Sequence, residues 1–207
     1  MIETNQQYVN WFRHSAPYIN AHRGRTFVIY LPGEALAHDN FAHTIHDINL
    51  LNSLGVKLVL VHGSRPQIQQ ACEKAKMDSQ FHNGLRITDL EQLSLVQATV
   101  GRQAMQLEAR FSMGLANSPM QGSRIRTSRG NFITARPIGV KNGVDFSYTG
   151  EVRRVDSDAI GKQLNDGNLV LISCLGYSPT GETFNLAAAQ VAGRVAASLQ
   201  ADKLIIF

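Results

Sequence analysis

The sequence predicts an α/β protein built on a mainly parallel sheet, and its apolar runs and turns carry that prediction. FVIYL at Phe27–Leu31, VKLVLV at Val56–Val61 and LVLI at Leu169–Ile172 read as strands buried on both faces. Helix-period stretches alternate with them. The runs lead into glycine turns, and the first two open directly onto helix-forming segments, the mark of right-handed strand–helix–strand units.

Taken in order, Glu3 to His22 places Tyr8, Trp11, Phe12, Ser15, Tyr18 and Ile19 at spacings of three and four, one face of an amphipathic helix. Pro17 should kink or interrupt it, since proline removes a backbone donor. Arg23-Gly24-Arg25 links this helix to the first strand. Phe41, Ile45, Ile48 and Leu51–Leu54 mark a second helix, stopped by Gly55. After the second strand, Ser64 begins a helix running to about Ala75. Thr88 to Leu115 reads as a long helix, capped by Thr88 or Asp89 with Glu91 in its first turn. From Asn117 to Gly150 the texture changes to glycine, serine, asparagine and arginine around short pieces such as FITARPIGV and VDFSYTG, which predicts hairpins. Asp156 to Asn165 is a short helix, Asn185 precedes another through Leu199, and ADKLIIF reads as a further buried strand. Leu204–Phe207 then either ends the sheet or belongs to a longer polypeptide.

With 207 residues, 43% hydrophobic and 17% charged, the chain can bury a sizeable core. The net charge of +4 is spread along it, and the densest basic group, Arg124, Arg126 and Arg129, lacks interleaved aromatics. That excludes a nucleic-acid footprint and leaves a solvated loop. Cys72 and Cys174 form no ligand set, so no metal is expected and a reducing compartment fits. The polar start MIETNQQYVNWFRHS shows no secretory signal, and no apolar run approaches the roughly 20 residues that span a bilayer. A cytoplasmic protein with no membrane partner is the expectation.

Turns at the C-terminal ends of predicted parallel strands are where α/β folds place ligands. Here they are Leu31-Pro32-Gly33, His62-Gly63-Ser64-Arg65-Pro66 and Leu175-Gly176-Tyr177. The first lacks a cation, and Pro32 has no N–H to give a phosphate. Arg86, in GLRITD, either binds a ligand or pairs with Asp89. His43 and His46, spaced with Asp39, read as solvent-facing helix residues rather than metal ligands. His62, at a strand end, reads as a hydrogen-bonded structural group rather than a general base.

The set FVIYLPGEAL, VKLVLVHGSRPQI, GLRITD and FNLAAAQVAGRVAASLQADKLI resembles the amino-acid kinase family. Within it, FRHSAPYINAHRG and SLGVKLVLVHGSRPQI are most similar to the N-terminal kinase-like domains of bacterial N-acetylglutamate synthases. The resemblance implies a three-layer α/β/α sandwich over 26–207, incomplete at its C-terminal end, preceded by a helix and linker over 1–25. It implies that the family's phosphotransfer positions fall on Tyr30, where kinases have lysine, on Gly33, Gly63, Ser64, Arg86 and Asn185, and on Ala189, at or near the kinase aspartate. Phosphoryl transfer depends on charge compensation, so these positions are expected to be vestigial and no catalytic residue is assigned. The resemblance further implies a regulatory and assembly module sensing L-arginine through a partial site, Tyr18 and Lys203, within a homo-oligomer. This chain would need no cofactor; its parent would use acetyl-CoA and L-glutamate through an acetyltransferase domain absent here. A working acetylglutamate-type kinase and an oligomerisation module without ligand are the alternatives.

Overall fold

A computed structural model describes residues 2–113 and 125–207. Arg124, at one corner of the basic group, lies outside them, as do Gly114 and Leu115 at the end of the expected long helix. The chain opens with α1 (Ile2–His22), β1 (Thr26–Leu31), the single turn α2 (Gly33–Leu36) and α3 (Phe41–Ser53). β2 (Lys57–His62), α4 (Arg65–Lys74) and the hairpin β3 (Phe81–His82) and β4 (Leu85–Arg86) follow, leading into α5 (Leu90–Ser112). Then come β5 (Thr127–Ser128), β6 (Ile133–Pro137), β7 (Val140–Lys141), β8 (Val144–Asp145), β9 (Thr149–Val155) and α6 (Ser157–Asn165). The last elements are β10 (Leu169–Ile172), β11 (Leu175–Tyr177), β12 (Thr183–Leu186), α7 (Ala188–Ser198) and β13 (Lys203–Ile206).

The central sheet has the order β13-β1-β2-β10-β5, and every pairing in it is parallel. Alternate side chains of its strands feed opposite cores. Phe27, Ile29, Leu31, Leu58, Leu60, Leu169 and Leu171 pack with Phe41, Ile45 and Ile48 of α3 and Leu107 and Phe111 of α5. Val28, Val59, Val61, Val170 and Ile172 pack with Ile160 and Leu164 of α6 and Val191 and Val195 of α7. Helices on both faces make the three layers. A third cluster, Ile68, Cys72, Val96, Val100, Cys174 and Ala188, ties α4 and α5 to the strand ends.

Three expectations need correction, and the hairpin region gains a closure that no local pattern predicted. β6, β9, β11 and β12 close into a small barrel, with Ile133, Ala135, Val152, Phe184 and Leu186 in the second core, so the hairpin region is part of the fold's interior. α1 continues through Pro17 without interruption; on so exposed a helix, water can satisfy the carbonyl that proline leaves unpaired. Asn185 sits inside β12, two residues before the Ala187 N-cap of α7, rather than at a helix start. β13 is an edge strand with Leu204 and Ile206 exposed, because only β1 pairs with it among the described residues. Asp89, not Thr88, caps α5, its carboxylate accepting from the N–H of Gln92 at 2.8 Å. Thr88 is fully buried.

Candidate functional site

At the C-terminal ends of β1 and β2 the two glycine turns lie against each other. Gly33 and Gly63 both approach backbone closely: a Cβ on Gly33 would fall 3.1 Å from the Arg65 nitrogen, and one on Gly63 would fall 3.2 Å from the Gly33 nitrogen. Gln67 locks the contact by donating from Nε2 to the Gly33 carbonyl at 2.7 Å. Above this floor is a cleft of ≈ 270 Å³. Tyr30, Gly33, Gly63, Ser64, Arg86, Asn185 and Ala189, drawn from distant segments, all line it. Sequence reasoning named those positions. It did not assign Glu34, Arg65, Phe81 or Thr149, which line the cleft as well; Arg65 stood in a quoted turn, but nothing in its spacing marked it.

Two guanidinium groups dominate the electrostatics. Arg86 Cζ lies 4.6 Å and Arg65 Cζ 5.2 Å from the centroid of the Phe81 ring. Arg86 does not pair with Asp89. It donates to Ser79 Oγ, and from Nη2 to Gln69 Oε1 at 3.0 Å, so its acceptors are neutral. Burial holds its pKa below the usual arginine range, and the Arg65 charge adds to that. Among the described residues no carboxylate forms an ion pair with either arginine. The first turns of α4 and α7 open on the same cleft, and neither has a side-chain cap. Ser64 Oγ is sealed and without a partner. The arrangement suits an anion.

What phosphotransfer would require looks different. Tyr30 is half-buried and neutral, its pKa raised by burial first and then by Glu34. Ala187, Ala188 and Ala189 put no carboxylate at the start of α7. Cys174, also on the cleft, has its thiol pushed up to about 12 by burial and is no nucleophile at neutral pH. His62 is fully buried and pushed down to about 4 by burial, with the Arg129 charge adding to it and the Gly63 backbone opposing it. Neither ring nitrogen meets a partner in full hydrogen-bond geometry, and the ring stands as an uncharged imidazole in the core.

Away from the cleft, His22 at the end of α1 places Nε2 3.3 Å from Lys203 Nζ, which also lies over the Phe27 ring at 5.3 Å. Tyr18 stands one turn earlier on α1 and is exposed. Tyr8, Trp11 and Phe12 are 68%, 70% and 62% exposed, so this domain's own core does not cover them. His43 and His46 are exposed, their rings 6.2 Å apart, and the described residues contain no metal-binding cluster. No helix among the described residues is long and apolar enough to cross a membrane.

Comparison with known proteins agrees with this geometry. An amino-acid acetyltransferase of Ectopseudomonas mendocina is 58% identical over 200 residues, 97% of this chain and 46% of that protein. One from Azotobacter vinelandii is 56% identical over 98% of the chain and 47% of its own length. The chain thus spans about half the length of the curated relatives it matches. The crystal structure of N-acetylglutamate synthase from Neisseria gonorrhoeae, complexed with coenzyme A and L-arginine, is 38% identical with a TM-score of 0.86, covering 97% of this chain and 47% of that one. Residues 25–207 match the amino acid kinase family, and with the parallel sheet, the facing glycine turns and the cleft at the strand ends, the chain belongs to that family.

Proposed function

We propose that this chain is the regulatory and assembly domain of an N-acetylglutamate synthase, an enzyme that transfers the acetyl group of acetyl-CoA to L-glutamate in arginine biosynthesis. On this reading the domain senses L-arginine and performs neither acetyl nor phosphoryl transfer. The observation that carries it is the pairing of a TM-score of 0.86 to a synthase holding L-arginine and coenzyme A with a cleft whose kinase lysine position is Tyr30. Tyr30 supplies no charge to a transferring phosphoryl group, and Ala189 supplies no carboxylate to organise one.

Arginine would sit where the last turn of α1 meets β13, near Tyr18 and Lys203. Lys203 suits a carboxylate, while a guanidinium calls for a bidentate acid, which the resemblance puts beyond Phe207. Titration calorimetry with L-arginine, on this chain and on one extended to the relatives' length, tests the reading. Weak binding here and tight binding to the longer chain are expected, with arginine inhibiting CoA release by the latter. A longer chain that forms N-acetylglutamate without response to arginine would defeat it. The reading as an oligomerisation module without ligand is favoured by one observation, the exposed aromatic stripe of α1.

A further inference from the structure

We infer that the outer face of the small barrel is a docking surface for an acidic segment of a partner protein, gripped by Arg153 and Arg154. None of the residues that form it lines the cleft. This goes beyond the arginine reading and does not depend on it.

The pair owes its placement to an irregularity in β9. Side chains alternate along a strand, so residues three apart face opposite sides. Val152 and Val155 are nevertheless both buried in the core that α6 and α7 cover. The register accounts for it: Thr134 of β6 pairs with Arg154 while Ala135 pairs with Val152, which leaves Arg153 as an extra residue. Such a β-bulge re-aims side chains. Here it puts two consecutive arginines outside, where unbroken alternation would turn one of them inward.

The rest of the face follows from the same parity. Ile133 and Ala135 point into the core, so Thr134 faces out with the arginines. Thr134 is paired on its other side with Tyr177 of β11, which is 39% exposed. Gly176, just before it, faces inward, since a Cβ there would fall 2.7 Å from that of Ala135. Tyr177, Thr134 and Arg154 thus form one outward row across three strands, with Arg153 beside it. At the usual strand spacing Tyr177 stands about 10 Å from Arg154 across the sheet.

The charge on this row is not matched from within. Among the described residues no carboxylate forms an ion pair with Arg153 or Arg154. The nearest acids along the chain are engaged: Glu151 holds Arg136 at 2.6 Å, and Asp156 caps α6 by accepting from the Ala159 N–H at 3.0 Å. Two neighbouring guanidinium forks suit carboxylates in bidentate contact. Arginine beside tyrosine is the composition of protein interfaces. A nucleic acid or a lipid surface draws on a wider basic field, which Glu151 interrupts on this face. The occupant that fits is a peptide segment whose neighbouring carboxylates reach the arginines while an apolar side chain lies on Tyr177.

Titration of the ¹⁵N-labelled chain with acetyl-Glu-Glu-Gly-Phe-amide tests this, the glycine letting the ring turn to the side of the carboxylates. Backbone amide signals of Thr134, Arg153, Arg154 and Tyr177 should shift together, and the effect should weaken with added salt. Arg153→Gln with Arg154→Gln should bind at least about fivefold more weakly, as the loss of two exposed ion pairs implies. Arg102→Gln with Arg126→Gln, which removes the same charge elsewhere, should bind like the wild type. The same spectra show that each variant keeps its fold. No shift at these four residues, or a shift that survives the Arg153 and Arg154 substitutions, would overturn the inference. A short DNA duplex that shifts the same signals at equal or lower concentration would overturn it too, by making the face a general anion surface.

Discussion

The amide of Gln67 and the backbone of Gly33 hold together the two turns that floor the cleft, through a 2.7 Å hydrogen bond from Nε2 to the glycine carbonyl. A Cβ on Gly33 would meet Gln67 Oε1 at 2.5 Å, and also Pro66 Cδ at 2.7 Å and the Arg65 nitrogen at 3.1 Å. Gln67 could swing away, but the α4 backbone could not. Gly33→Ala should therefore cost about 1–3 kcal/mol, the usual range for forcing extra volume into a packed contact. Urea unfolding of the two proteins decides it, and an unchanged midpoint would show that the turns separate freely.

Charge, rather than shape, should decide whether this cleft transfers phosphate. Its floor is two facing glycine turns, but it has a neutral Tyr30 at the end of β1 and alanines at the start of α7. A single cation in phosphoryl transfer can be worth about 10³-fold or more. No ADP should form from ATP with acetylglutamate or glutamate. Steady, acetylglutamate-dependent ADP release that Arg86→Ala abolishes would mean the cleft is a working kinase site.

His62 makes a prediction about pH, and its sign follows from burial. Its pKa is about 4 in the folded chain against 6.5 unfolded, so between those values the unfolded state binds more protons. The neutral imidazole's contribution to stability is thus fully present above about pH 6.5 and is lost as pH falls toward 4. A shift of this size corresponds to about 3 kcal/mol across that window. His62→Phe, which cannot titrate, should lose less stability than the wild type between pH 7 and pH 4.5. Parallel stability–pH curves for the two would show that the ring is charged, or hydrated, in the folded protein.

Most of the fold could be read because parallel strands buried on both faces leave continuous apolar runs, and Phe27–Leu31, Val56–Val61 and Leu169–Ile172 all became central strands. The small barrel could not. Its strands are short, β11 being Leu175–Tyr177, and their closure depends on contacts between Thr134 and Tyr177 or Leu186 and Gly150 that no local pattern records. β13 misled because KLII has the composition of a buried strand while occupying a sheet edge. The cleft was legible where glycine turns end strands, since close backbone approach demands that residue. Thr88 and Thr149 left no such mark: they stand 61 positions apart in sequence, and their hydroxyls meet only once the fold joins them.

The aromatic stripe of α1 supplies the last prediction. Tyr8, Trp11, Phe12 and Tyr18 are each more than 60% exposed, and none of the described side chains of α1 joins the three core clusters. Apolar surface gathered on one helix in this way marks an interaction face. Because the core is built without it, a chain beginning at Arg23 should still fold, with a cooperative unfolding transition close to that of the full chain. What it should lose is assembly. Light scattering should give the full chain a mass several times that of one copy, and the shortened chain a clearly smaller particle. Trp11→Glu with Phe12→Glu, which keeps the helix but charges its face, should act in the same direction. If the shortened chain and the double variant both keep the full-length particle mass, α1 takes no part in joining copies, and some other surface must hold them together.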